Sequence, residues 1–218
     1  MELLKMFSIK EEKLMKIITI SREFGSGGRE LGKRLAEKLG IPCYDREIVD
    51  MVAERQSLDR NYVEHISEKD IRMFYPMTIA HRFMMPNLAA RQPLMVAAAQ
   101  HELIKQLAER GDCVIIGRNA DVICKEMNPM KIFVYADDRS KLERCKSRAE
   151  ENEHLTDKEI LRNMKQIDKD RAAYHNMCTD EEWGNKCSYH LCINTSGMEI
   201  KTLIPSVSEY VRVWFDKE

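Results

Sequence analysis

Short aliphatic runs recur along the chain, and each is followed by a stretch with apolar residues three or four apart. Ile17–Ile20 (IITI) is the first run. Ile41–Tyr44, Cys113–Ile116 (CVII), Lys131–Ala136 (KIFVYA) and Tyr189–Ile193 (YHLCI) follow. Continuous apolar runs of this length suit strands buried on both faces of a parallel sheet. Between them lie helical patterns. Leu31, Leu35 and Leu39 share one face, and Ile48, Val49, Met51 and Val52 mark a second helix. A long helix spans about Leu94 to Glu109. Another carries Leu142 and Cys145, and one carries Ile160, Met164 and Ile167. The last includes Ile204, Val207, Tyr210, Val211 and Trp214. The alternation predicts an α/β fold, with a five-stranded parallel sheet, helices on both faces and right-handed crossovers.

Punctuation residues sharpen the boundaries. Gly40 closes the first helix, where a left-handed cap residue belongs, and Gly111 ends the long one. Asp137 or Asp138 caps the helix after the fourth strand. Asn61–Pro93 breaks the pattern. It is rich in Met, His and Arg, holds three prolines and lacks clean periodicity. It reads as helical segments set apart from the sheet, an insertion that covers a substrate. Its methionines suit a pliable core or a subunit contact in a homodimer.

The first strand enters a glycine-rich turn, Gly25-Ser26-Gly27-Gly28, that opens directly into a helix. In this order backbone N–H groups turn inward and the helix N-terminus adds partial positive charge, which makes a phosphate site. Glycine lets the backbone approach an anion without an intervening Cβ. Gly27→Val is therefore expected to block nucleotide without unfolding the chain. Arg22 and Arg29 flank the turn, and Lys33 and Arg34 lie one turn on. The P-loop pattern G-x-x-x-x-G-K-[ST] is incomplete, because Gly28 stands where its lysine belongs and Arg29-Glu30 follows. The dinucleotide pattern G-x-G-x-x-G fits at Gly25 and Gly27, with Asp45 at a suitable distance, but Glu30 occupies its third glycine. Asp45 follows the second strand, as ligand or as helix cap. Arg118, just beyond the third strand, faces the ligand crevice, where its fork suits a phosphate.

Charge adds little at the level of the whole chain. Lys plus Arg number 35 and Asp plus Glu 36 in 218 residues, so any attraction for phosphate is local, and neither a nucleic acid polymer nor a membrane surface is indicated. No apolar run reaches the length of a membrane span, and residues 1–15 lack the form of a signal peptide. Seven scattered cysteines without a C-x-x-C pair suit reduced thiols in a cytoplasm. Cys187, His190 and Cys192 match no zinc spacing.

These motifs resemble the cytidylate kinase-like group of P-loop nucleoside monophosphate kinases, in the branch that begins ITISREFGSGG. The resemblance runs from about Lys16 onward. It rests on ITISREFGSGGRELGKRLAEKLG, IPCYDRE, IIGRNAD, DKDRAAYHN and WGNKCSYHLCINTS. It implies a three-layer P-loop fold in one domain (residues 1–218), with core 16–56, 92–143 and 173–218. A monophosphate-binding insertion falls at about 57–91 and a lid at about 144–172. It implies ATP with Mg²⁺, nucleotide substrates, and Gly25, Ser26, Gly27 and Gly28 as the triphosphate loop. Arg118 and Asp45 fall on the acceptor side. Arg144, Arg148, Lys169 and Arg171 belong to the helices that close over the transferring group.

The chain departs from that pattern where chemistry is concentrated. The loop lysine and the hydroxyl that binds magnesium are missing, and Ile116 and Asn119 replace the aspartates around Gly117-Arg118. Phosphoryl transfer depends on placed positive charge, so Arg29, Arg22 or Lys33 must replace the lysine, with Glu30 near the metal. Three readings follow. The first is a kinase acting on a nucleoside monophosphate or a similar small acceptor. The second is a nucleotide-binding module without chemistry, and the third a Rossmann dehydrogenase.

Overall fold

The structure is a computed structural model that describes residues 15–65, 88–148 and 155–216. The N-terminal extension, most of the expected insertion and the segment 149–154 lie outside the described residues. Five parallel strands form one sheet: β1 (Ile17–Arg22), β2 (Cys43–Tyr44), β3 (Cys113–Ile116), β4 (Met130–Tyr135) and β5 (Leu191–Asn194). Their spatial order is β2-β3-β1-β4-β5. Ile18 pairs with Val114 on one side and Met130 on the other. β1 is thus central and its C-terminal end opens at the middle of one sheet edge. A dinucleotide fold would set β1 beside β2, so this order removes the dehydrogenase reading.

Both faces of the sheet are covered, which is why the strands read as unbroken apolar runs. Ile17, Cys113 and Ile115 point to one face, where α2 (Glu47–Gln56) and α4 (Leu88–Glu109) bring Ile48, Val52, Leu103 and Leu107. Ile18, Ile20, Val114, Ile116 and Ile132 point to the other. There α1 (Gly28–Leu39) and the C-terminal α8 (Ile200–Phe215) bring Leu31, Leu35, Ile204, Val207 and Val211. The remaining helices are α3 (Arg60–His65), α5 (Ala120–Ile123), α6 (Asp138–Lys146) and α7 (Asp157–Cys178).

The cap signals resolve as local chemistry predicts. Gly40 takes φ 69° and Ile41 N–H donates to Ala36 O at 3.1 Å, closing α1. Asp137 is the cap of α6 and accepts from Ser140 N–H at 2.7 Å. Asp45 does not cap α2; that position falls to Arg46. β2 begins only after Pro42, which has no N–H to give a ladder. α4 starts at Leu88, six residues before the sequence pattern suggests, so Pro93 lies inside the helix and does not start it. Thr156 and Glu159 form a reciprocal capping box at the start of α7. The T-x-x-E signal for it is visible in the sequence and was not among the expected boundaries. α7 runs on through residue 172 without a break, so the expected lid and core share one helix.

Leu35 is fully buried between the sheet and α8. Leu35→Ala is expected to cost about 2–5 kcal/mol in denaturant unfolding. A loss well under about 1 kcal/mol would contradict the packing of α1 described above.

Candidate functional site

The glycine loop joins β1 to α1 at the centre of the sheet edge. Gly25 and Gly27 take φ 75° and 81°, so both need the left-handed region. The loop carbonyls are held by side chains from distant elements. Arg144 of α6 donates from Nη1 to Gly25 O at 3.4 Å. Thr195, at the end of β5, donates to Ser26 O at 2.6 Å. Arg144 also donates to Thr195 O and, at 3.0 Å, to Met198 O. From α7, Asp168 Oδ1 accepts Phe24 N–H at 2.6 Å, and Arg171 donates to Arg22 O at 3.2 Å.

The glycines make room for protein as well as for an anion. A Cβ on Gly27 would sit 2.5 Å from Ile200 Cδ1, and one on Gly28 would sit 2.6 Å from Arg22 Cβ. Gly27→Val therefore strains the backbone and pushes on α8. The variant is therefore expected to lose some stability as well as to block nucleotide.

A cavity of about 600 Å³ opens over the loop. Gly25, Gly27 and Gly28 line it, together with seven arginines: Arg22, Arg29, Arg46, Arg118, Arg144, Arg148 and Arg171. The carboxylates on its wall are Glu23, Asp45 and Glu64. Among the described residues guanidinium groups outnumber carboxylates on this wall, a charge balance that suits a multiply charged anion. Arg22, Arg118 and Arg171 also line a smaller adjoining cavity of about 60 Å³ with Asp170, Tyr174 and Trp183.

The expected site residues fall into three groups. Arg22, Arg29, Asp45, Arg118, Arg144 and Arg171 meet at the cavity. Arg29 is ion-paired there with the buried Asp45, so its charge is already partly matched. Arg118 and Asn119 take φ 60° and 53°, after Gly117 at 69°. A non-glycine residue held left-handed costs free energy and marks a backbone constrained by its surroundings.

Ser26 is buried beneath the loop, its hydroxyl donating to Glu23 O at 2.8 Å. Lys169 and Glu30 stand apart from the cavity wall. Lys169 is exposed, because one helical step separates it from Asp168 and turns it outward. Glu30 bonds Arg34 at 2.8 Å and Arg148 at 2.6 Å. Its carboxylate is shared between two guanidinium groups in this structure.

Four contributors escaped sequence reasoning: Glu23, Lys141, Asp168 and Thr195. Glu23 Oε2 pairs with Lys141 Nζ at 3.1 Å and accepts Ala136 N–H at 3.3 Å, tying the loop to β4 and α6. Burial works against the Lys141 charge, but Glu23 and Asp138 outweigh it and raise its pKa. Arg144 is shifted the other way by burial and then by Arg148. A signal existed for Thr195, since residues just past the end of a parallel strand face the crevice. Elsewhere Asp121 and His175 form a buried pair at 3.0 Å, which ties α5 to α7. Burial opposes the His175 charge, while the hydrogen bond and charge of Asp121 raise its pKa overall. The pair brings IIGRNAD and DKDRAAYHN together in the fold.

A parallel sheet in this order, with a glycine loop after its central strand, defines a P-loop kinase fold. Residues 17–197 match the cytidylate kinase-like family, and the chain belongs to it. Among solved structures it is similar to an uncharacterized protein from Eubacterium ventriosum, at 28% identity and TM-score 0.65, over 90% of this chain and 98% of that one. It also matches the fold of shikimate kinase from Bacteroides thetaiotaomicron, at 15% identity and TM-score 0.56, over 91% and 99% of the two chains. No curated protein matches the sequence.

Burial pushes the Asp168 carboxyl up to about 6 from 3.8, while the Phe24 amide and Arg171 pull against it. The folded state therefore binds this proton more tightly than the unfolded one. Stability from this group is greatest below 3.8 and falls as pH rises to about 6. Asparagine keeps an acceptor for Phe24 N–H without the charge. Asp168→Asn is expected to gain stability relative to the parent across that window, read by urea denaturation in pH steps. Parallel pH profiles for the two proteins would contradict this.

Proposed function

We propose that this protein transfers the γ-phosphoryl group of ATP to a small phosphate-bearing acceptor, first of all a nucleoside monophosphate of the cytidylate type. The observation that carries this reading is the arginine-lined cavity over the glycine loop. Family membership supports phosphoryl transfer to a small substrate, and the fold agrees with it.

In this reading the glycine loop and the start of α1 receive the donor phosphates through N–H groups, with the long 3.4 Å bonds of Ser26 N–H to Glu23 O and of Gly28 N–H to Ser26 Oγ exchanged for phosphate oxygens. Arg118, held at the end of the central pair of strands, receives the acceptor phosphate through its fork. Arg171 approaches from α7 and Arg148 from beyond α6, so both can close over the transferring group and exclude water. Arg144 acts differently: its bonds to Gly25, Thr195 and Met198 make it the brace of the loop. Arg29 orients Asp45 on the acceptor side.

The donor set does not suit a resident Mg²⁺. Among the described residues no three His, Cys, Asp or Glu groups lie together. Glu23 and Asp45 each face a cation already. Mg²⁺ enters as part of the nucleotide substrate, as its preference for phosphate oxygens and water allows. The cysteine pattern suggests the cytoplasm as the setting, and no described helix is long and apolar enough to cross a membrane.

A second reading has a specific observation behind it. No lysine lines the cavity among the described residues, which favours a nucleotide-binding module without turnover. ADP release from ATP–Mg²⁺ over a panel of nucleoside monophosphates separates the two. Sustained release with one acceptor is expected, and Arg118→Met should lower kcat/KM for that acceptor by about ten- to a hundredfold while leaving ATP affinity nearly unchanged. ATP binding without ADP release on any acceptor would favour the module. Equal loss of ATP affinity in Arg118→Met would move Arg118 to the donor side.

A further inference from the structure

The P-loop pattern G-x-x-x-x-G-K-[ST] sets a glycine six positions before its lysine. Laid on Gly27-Gly28, the first glycine falls on Arg22 and the lysine on Gly28. The chain departs at both places in opposite senses, with arginine for glycine and glycine for lysine. In the fold these two residues touch. A Cβ on Gly28 would lie 2.6 Å from Arg22 Cβ and 3.1 Å from its Cγ. Gly28 is the first residue of α1 and has no positive φ, so its backbone does not call for glycine. The stem of Arg22 does, with a smaller share from Val134 Cβ at 3.1 Å.

The far end of the same side chain rests on another glycine. A Cβ on Gly117 would lie 1.5 Å from Arg22 Nη1. Gly28 and Gly117 are thus two stations of one trough, and the guanidinium emerges next to Arg118. It lines both the large cavity over the loop and the smaller one beside it. Arg171 fixes the backbone of this residue by its bond to Arg22 O at 3.2 Å.

We propose that Arg22 and Gly28 are an exchanged pair. The cation that a P-loop lysine brings from the helix side comes here from the end of β1, and Gly28 and Gly117 form its seat. Its ligand is the β,γ end of the ATP triphosphate, gripped by a fork and not a point charge. This rests on the phosphoryl-transfer reading above.

The test compares the parent, Arg22→Met, Arg22→Gly, Gly28→Lys and the double variant Arg22→Gly/Gly28→Lys. Binding of ATP–Mg²⁺ and of AMP is measured by calorimetry, and Tm without ligand. Arg22→Met is expected to lose about ten- to a hundredfold in ATP affinity, and far less for AMP. Gly28→Lys alone should lower Tm, because its Cβ meets the Arg22 stem. The double variant should be more stable than Gly28→Lys and bind ATP more tightly than Arg22→Gly. The exchange is overturned if Arg22→Met binds ATP like the parent. It is equally overturned if the double variant shows neither recovery. A parent that binds no ATP would bring down the phosphoryl-transfer reading itself, and the proposed ligand with it. The Tm coupling between positions 22 and 28 reports on the seat without any nucleotide.

Discussion

A backbone that turns its N–H groups toward an anion has to satisfy its carbonyls on the opposite side. The carbonyls of the glycine loop are held in that way. Arg22 O is met by Arg171, Glu23 O by Ser26, Gly25 O by Arg144 and Ser26 O by Thr195. Gly27 O is met by Leu31 N–H inside α1. The partners come from α6, α7 and the end of β5, so the loop has its shape only when the whole sheet edge is assembled. Loop glycines then serve two ends. Left-handed φ at Gly25 and Gly27 sets the turn, and missing Cβ atoms let Ile200 and Arg22 press against it.

Electrostatics follow from the same assembly. Among the described residues seven guanidinium groups and three carboxylates line one cavity, and like charges so close must be offset. Arg29 with Asp45, and Arg148 with Glu30, show how the protein tolerates the cluster: the charges are parked in pairs. Arg148 is half exposed, so that pairing is weak and easily exchanged for a phosphate. Arg144 is different, being spent on loop carbonyls where no phosphate need replace them. In the proposed reading, a polyphosphate with several oxygens complements the positive wall.

Local signals in the sequence carried much of the fold. The third strand, the Gly40 cap and the strand-loop-helix unit follow from short-range pattern, and all three stand as expected. The site was less legible, because its ties run between residues more than a hundred positions apart, as Phe24 with Asp168 does. α7 shows the difficulty. Lys165, Asp168, Lys169, Asp170 and Arg171 put charge on every side of one helix, so apolar periodicity does not reveal which charge faces inward. The loop takes Asp168 and Arg171, and Lys169 points to solvent. Arg29 and Glu30 stand next to the loop in sequence, which alone makes them site candidates. Their partners, Asp45 and Arg148, lie in other elements and redirect both side chains.

The central claim is that the glycine loop and its arginine-lined cavity form a triphosphate site. Amide hydrogen exchange with and without saturating ATP–Mg²⁺ tests it most directly. The account predicts slower exchange at the amides of Gly25 to Gly28 and at the first turn of α1, with Arg118 protected only when an acceptor is also present. Protection confined to other parts of the chain, or none at all under conditions where calorimetry shows ATP bound, would contradict it.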